Sequence, residues 1–181
     1  MSYCNFCSKI NDDENVHKVY HDHHYGFPII DDNELFCRLM LEINQAGLSW
    51  EIVLKKEKNF REAFDDFEIR KVASYKEEDR ARLLANAGII RNKLKVNAAI
   101  ENAKQLLMIQ KEFGSFKNWL DSHHPLELKE WIKLFKRTFR FTGGEIVKEF
   151  LMSTAYLPGA HVGSCPVQKK VIAAGPMYLK S

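Results

Sequence analysis

The feature that most restricts this chain is the spacing of its apolar residues, which from Leu35 onward recur every three or four positions. That spacing puts them on one face of an α-helix, whereas a half-buried strand needs apolar and polar residues to alternate. No stretch keeps such alternation between turn signals, so the chain reads as all-α. Asp31 and Asp32 suit the N-cap of a helix through Leu35, Phe36, Leu39, Met40 and Ile43. Gly47 interrupts, and Ser49 suits the N-cap of a second helix holding Trp50, Val53 and Leu54, with a third amphipathic unit at Phe60, Phe64 and Phe67. An acidic start at Glu77 leads to a helix with Leu83, Leu84 and Ala87 that Gly88 is expected to close. A long helix then runs from near Arg91 to Phe113. After it come a short one capped by Ser115, a loop at His123-His124-Pro125, a basic helix over Glu127 to Arg140, and one after Gly143-Gly144 with Ile146, Val147, Phe150 and Leu151. The first thirty residues and the tail after Pro158-Gly159 carry no such pattern and are expected to be irregular.

A chain of 181 residues, 45% hydrophobic, can bury a core without disulfides. One compact domain over residues 1–181 is expected, with helical lobes before and after the Gly88 turn flanking a groove. The net charge of +3 permits nucleic-acid binding without demanding it. Met1 to Cys7 is polar rather than a secretory leader, and no run approaches the ~18 apolar residues of a membrane span, so a cytoplasmic protein without membrane contact is expected. In a reducing compartment Cys4, Cys7, Cys37 and Cys165 read as thiols or metal ligands.

Three groups of residues carry chemistry. Cys4, Cys7, His17, His21, His23 and His24 lie near one end of the chain, and His161 and Cys165 near the other. A structural zinc site takes four N or S ligands, and such a staple would order two segments that lack helical pattern. Spacing alone does not choose between Cys7 and Cys165, and scattered surface histidines would give the same pattern. The segment LLANAGIIRNKLKV (Leu83–Val96) reads as a helix, a tight apolar turn and a second helix opening with cations. Backbone N–H groups at such a helix start can hold a DNA phosphate, although an ordinary hairpin with a solvated basic face also fits. Finally, Glu42 interrupts an apolar helical stripe near Trp50, with Phe6, Tyr20 and Tyr25 upstream. Aromatics with one acid suit a pocket for a flat cationic base, and equally a core with a surface carboxylate.

Taken together, these segments resemble the 3-methyladenine DNA glycosylase I family. The resemblance rests on YHDHHYGFP (Tyr20–Pro28), LEINQAGLSW (Leu41–Trp50), VLKKEKNFREAF (Val53–Phe64), AGIIRNKLKVNAAIENA (Ala87–Ala103), FRFTG (Phe139–Gly143) and GAHVGSC (Gly159–Cys165). They occur in order over nearly the whole chain. The resemblance implies a helix-hairpin-helix glycosylase fold with zinc joining the two ends through Cys4, His21, His161 and Cys165. Cys7, His17, His23 and His24 would be bystanders. Glu42 and Tyr20 would hydrogen-bond a flipped base and Trp50 would stack on it. Phe6 and Tyr25 stand where the family commonly has tryptophans. Gln45, Gly47 and Leu48 would fill the gap left by the flipped nucleotide, and Gly88, Ile90, Arg91 and Lys93 would meet the phosphate. The implied partner is double-stranded DNA with alkylated bases, the product free 3-methyladenine, and the enzyme monofunctional; for a DNA-repair enzyme of this size a monomer is expected.

The chain departs from the family between Phe116 and Arg140, which is shorter, and after FRFTG, where Gly144-Glu145 replaces a Pro-Thr or Thr-Thr pair. The wider superfamily's catalytic Asp has no clear counterpart, and the nearest acid, Glu112, is not assigned that role. Two other readings compete. One is a glycosylase with a lysine nucleophile, Lys93 or Lys95, that also cuts the backbone. The other is a zinc-bound DNA-binding domain that releases no base.

Overall fold

A computed structural model describes residues 2–180. Among them no strand occurs, and the α-helices run α1 (Tyr3–Cys7), α2 (Val16–His23), α3 (Asp32–Gln45), α4 (Trp50–Ala63), α5 (Ile69–Ala73), α6 (Glu77–Ala85), α7 (Lys93–Phe113), α8 (Phe116–His123), α9 (Leu128–Thr138), α10 (Gly144–Ser153) and α11 (Pro166–Ala173). None is long and apolar enough to cross a membrane.

Helix α3 is the central element. Asp31 caps it, accepting from the Glu34 N–H at 2.8 Å. The next residue, Asp32, reaches across to α8 and accepts from the backbone N–H groups of Phe116 (2.8 Å) and Lys117 (3.0 Å), and from Gln110 Nε2 of α7 (2.7 Å). One carboxylate thus satisfies orphan donors of a second helix and ties three elements together. Leu35, Phe36, Leu39 and Ile43 of α3 join Phe60, Leu106, Phe116, Trp131, Phe135 and Phe150 in one continuous buried cluster.

Several sequence expectations need correction. The first thirty residues hold α1 and α2, and the tail holds α11. These helices have five, eight and eight residues, too short to show apolar periodicity. Local caps start the first two: Ser2 accepts from Asn5 N and Asn15 from His17 N. Trp50 and Phe60 share one helix rather than two, with Phe64 ending it and Phe67 following in a tight turn. Gly88 does not cap α6, which ends at Ala85. Asn86 makes that turn instead, its Oδ1 accepting from the Gly88 N–H at 2.8 Å. The long helix starts at Lys93, not Arg91, because Asn92 caps it by accepting from Leu94 and Lys95 N–H.

Candidate active site

The C-terminal half of α3, the start of α4, α2 and α10 enclose a cleft of about 490 Å³. Tyr20, Tyr25, Glu42 and Trp50 line it, with Gln45 at one side and Glu145 and Glu149 of α10 at another. Tyr20 and Trp50 meet edge-on, with ring centroids 5.1 Å apart, and Tyr25 lies 5.5 Å from Tyr20. Tyr3 forms the remaining wall. Phe6 does not line the cleft: it is 44% exposed and stacks on the outer side of Tyr3. Tyr3, beside a candidate ligand cysteine, carried no periodicity that could have singled it out.

Glu42 is 5% exposed, yet no described group hydrogen-bonds its carboxyl. Burial pushes its pKa up to about 8; the nearby Arg38 guanidinium works against that rise and Glu149 adds to it. Arg38 sits one turn earlier on α3, where helix geometry puts it on the same face. Its Nη1 donates to the Tyr20 hydroxyl (3.4 Å) and to the carbonyls of His24 (3.4 Å) and Ser153 (3.5 Å), while its Nε has no partner. Burial also raises the Tyr20 phenol well above its usual range, so it stays neutral. The Tyr25 hydroxyl donates to Glu149 at 3.1 Å, and burial holds Glu149 above the ordinary carboxylate pKa. Glu149 was not anticipated from sequence, where it reads as one acid on a helix face.

Next to Tyr20 on α2, His21 turns toward the chain ends rather than into the cleft. There Cys4, His21, His161 and Cys165, all buried, bring their ligand atoms within 4.8 Å of one another. His161 Nδ1 is 3.6 Å from Cys4 Sγ and 3.8 Å from Cys165 Sγ, and His21 Nε2 is 3.7 Å from Cys165 Sγ. A tetrahedron of about 2.3 Å Zn–S and 2.0 Å Zn–N bonds has S···N edges of about 3.5 Å, so the donor set fits zinc. The outer ring nitrogens are engaged as metal-bound imidazoles require: His161 Nε2 with the Tyr25 carbonyl (2.8 Å), His21 Nδ1 with Asp22 (2.6 Å). Gly26 allows the close approach. At φ +80° it sits where a Cβ would come 2.7 Å from that of Ala160 and 3.3 Å from the His161 ring. Cys7 instead meets the His17 carbonyl, His17 pairs with the Tyr3 hydroxyl, and His23 and His24 are exposed.

The loop after α3 forms one lip of the cleft. Leu48 N–H donates to the Gln45 carbonyl (2.7 Å), Gln45 Nε2 donates back to the Leu48 carbonyl (3.0 Å), and Gly47 takes φ +82° in open space. The turn between α6 and α7 is held from α4. Lys56 Nζ donates to the carbonyls of Ala87 (3.2 Å) and Gly88 (3.0 Å), and Asn59 donates to Gly88 (3.3 Å). Ile89 is buried and Ile90 partly so, which anchors the turn and leaves Arg91 and Lys93 exposed beside the Asn92-capped start of α7. Glu112 is exposed on α7 at a separate hollow.

Comparison with known proteins agrees with this geometry. Residues 10–133 match the sequence family described as methyladenine glycosylase. The chain is 33% identical over 178 residues to DNA-3-methyladenine glycosylase 1 of Escherichia coli (strain K12), covering 88% of this chain and 95% of that one. It is 32% identical to DNA-3-methyladenine glycosylase of Haemophilus influenzae (strain ATCC 51907 / DSM 11121 / KW20 / Rd), with coverage of 85% and 93%. The solved structure of 3-methyladenine DNA glycosylase I from Staphylococcus aureus superposes with a TM-score of 0.80 at 33% identity, covering 91% of this chain and 95% of that one.

Proposed function

The chain belongs to the methyladenine glycosylase family, and from that premise we propose how its residues divide the work. The activity is hydrolysis of the N-glycosidic bond that joins 3-methyladenine to DNA, a base-excision step. Glu42 and Tyr20 hydrogen-bond the flipped base and Trp50 stacks on it, with Tyr25 and Tyr3 completing the aromatic wall. The observation that carries this assignment is the Glu42 carboxyl, buried without a hydrogen bond at the floor of an aromatic cleft. Leaving such a group unpaired costs free energy, and a cationic base supplies the missing partner.

A base methylated at N3 carries positive charge and departs neutral, so the bond is already weak. The protein flips the nucleotide, holds the base, and leaves water to complete the hydrolysis. Gln45, Gly47 and Leu48 occupy the vacated stack. At the turn that Gly88 opens, whose own N–H is taken by Asn86, the backbone N–H of Ile90 holds a phosphate together with Arg91 and Lys93. The reaction is monofunctional: no lysine lines the cleft among the described residues, and Lys93 lies exposed on the hairpin. Cys4, His21, His161 and Cys165 hold zinc, whose four protein ligands close the site and make it structural. The enzyme works as a cytoplasmic monomer.

The test is to incubate the protein with methylated duplex DNA and separate the released bases by chromatography. Free 3-methyladenine is expected from the wild type and is expected to vanish with Glu42→Ala. Release undiminished in that variant overturns the assignment of Glu42.

A further inference from the structure

Lys95 lies on the first turn of α7 but reaches neither solvent nor the cleft. It is 5% exposed, and its Nζ donates to the carbonyls of Asn44 and Ala46, both at 2.8 Å. Those carbonyls end α3 and open the loop that carries Gln45, Gly47 and Leu48. The Phe141 ring lies 5.9 Å from the ammonium. Phe141 is itself held in place at φ +61°, a backbone region costly for a bulky side chain. Two anchors impose that conformation. The buried Asn102 side chain bonds both the N–H (2.7 Å) and the carbonyl (3.1 Å) of Arg140, and Thr142 Oγ1 donates to the Phe135 carbonyl at 3.1 Å.

Stability alone does not require this arrangement. The last carbonyls of a helix beside an exposed loop can bond water, while sinking a lysine head costs desolvation that also holds its pKa below the ordinary value. The arrangement gains a rigid link between two parts that touch DNA at different places. Asn92 caps the same turn of α7, so the phosphate-binding hairpin and the loop at the cleft mouth are joined through one side chain.

We propose that Lys95 is a positioning residue for base extrusion: it fixes the Gln45–Leu48 loop to the hairpin, so that a phosphate held by the hairpin sets where the loop enters the duplex. The inference rests on the roles assigned above to the hairpin and the loop. It also gives Lys95 a task other than that of a nucleophile, which its two carbonyl partners leave it poorly placed to be.

Lys95→Met keeps the aliphatic stem and removes the donors. Three quantities separate positioning from mere folding: affinity for free 3-methyladenine by tryptophan fluorescence, affinity for undamaged duplex, and single-turnover base release from methylated duplex. The first two are expected to stay within about twofold. Release is expected to fall by about 10- to 100-fold, the scale of an ångström-sized misplacement. A 2-aminopurine beside the lesion should brighten on binding wild type and stay dim with the variant. Unchanged release, or a loss matched by equal loss of free-base affinity, overturns the proposal. Should Lys95→Met not fold, Phe141→Ala gives a second reading, because it uncovers the ammonium from the surface. It should reduce release several-fold without changing free-base affinity, and a proportionate loss of both overturns the proposal. Absence of 3-methyladenine binding by the wild type would instead overturn the assignment of the cleft.

Discussion

Replacing Glu42 with Gln should stabilise this protein, and by an amount that depends on pH. Below pH 4.5 the carboxyl is protonated in native and unfolded chains alike, so it contributes nothing through proton linkage. Between 4.5 and about 8 the unfolded chain releases the proton while the buried native carboxyl keeps it, so wild-type stability falls as pH rises. Each pKa unit corresponds to about 1.4 kcal/mol, which sets a ceiling of about 5 kcal/mol reached above pH 8. Glutamine does not titrate. Its advantage should be under about 1 kcal/mol at pH 5 and grow to several kcal/mol at pH 8. Urea unfolding of both proteins across that range measures the difference directly. Glu149 is raised by burial in both proteins, and that part cancels; its repulsion of the Glu42 carboxylate belongs to the Glu42 shift being measured. An offset that is flat with pH, or that shrinks toward pH 8, would refute the reasoning, because it would mean that Glu42 is ionised in the free cleft.

Two further outcomes are expected. The purified protein should carry about one zinc ion per chain by elemental mass spectrometry, lost in Cys4→Ser and Cys165→Ser but kept in Cys7→Ser, with the metal-free forms cleaved by protease near α1 and α2. Arg91→Ala should weaken binding to any duplex and lower the slope of log affinity against log salt by about 1, leaving free-base affinity unchanged.

What the sequence made legible was local. Asp31 and Ser115 cap helices because a cap needs only its next few residues, and those residues are adjacent in the chain; Ser49 stands at a helix start without a side-chain cap bond. Glu42 stood out because one acid in an apolar stripe needs an explanation whatever the fold. The residues that were not legible depend on contacts across long stretches of chain. Lys56 and Asn59 hold the α6–α7 turn from another helix, and nothing near either one hints at that. Lys95 reads as part of a solvated basic face, yet it turns inward to Asn44 and Ala46. Gly88 reads as a helix end because glycine commonly is one, while the asparagine two places earlier makes the turn. The short helices α1 and α2 are not legible because a few residues cannot display a period.

The environment of Glu42 also bears on how recognition and catalysis coexist in one cleft. As the glycosidic bond breaks, positive charge leaves the base for the sugar, so a fully ionised carboxylate against the base would favour the ground state and slow the step. A carboxyl with its pKa near 8 avoids much of that difficulty. In the free cleft at pH 7 it is mostly protonated, and a cationic base must displace that proton, at a cost of about 1.4 kcal/mol for each pH unit below the pKa. The ion pair is therefore weaker than the burial alone would suggest. Arg38 keeps the carboxylate accessible from behind, since it is the one nearby group that opposes the rise. Discrimination then comes from charge: a neutral adenine offers nothing to offset the unpaired Glu42, while a methylated one does. Binding of duplex carrying a stable cationic base analogue should strengthen by up to tenfold per pH unit between 6 and 8 and level off above, and Glu42→Gln should flatten the profile. A wild-type profile already flat over that interval would mean that the proton is not displaced, and that Glu42 recognises the base as a neutral hydrogen-bonding acid.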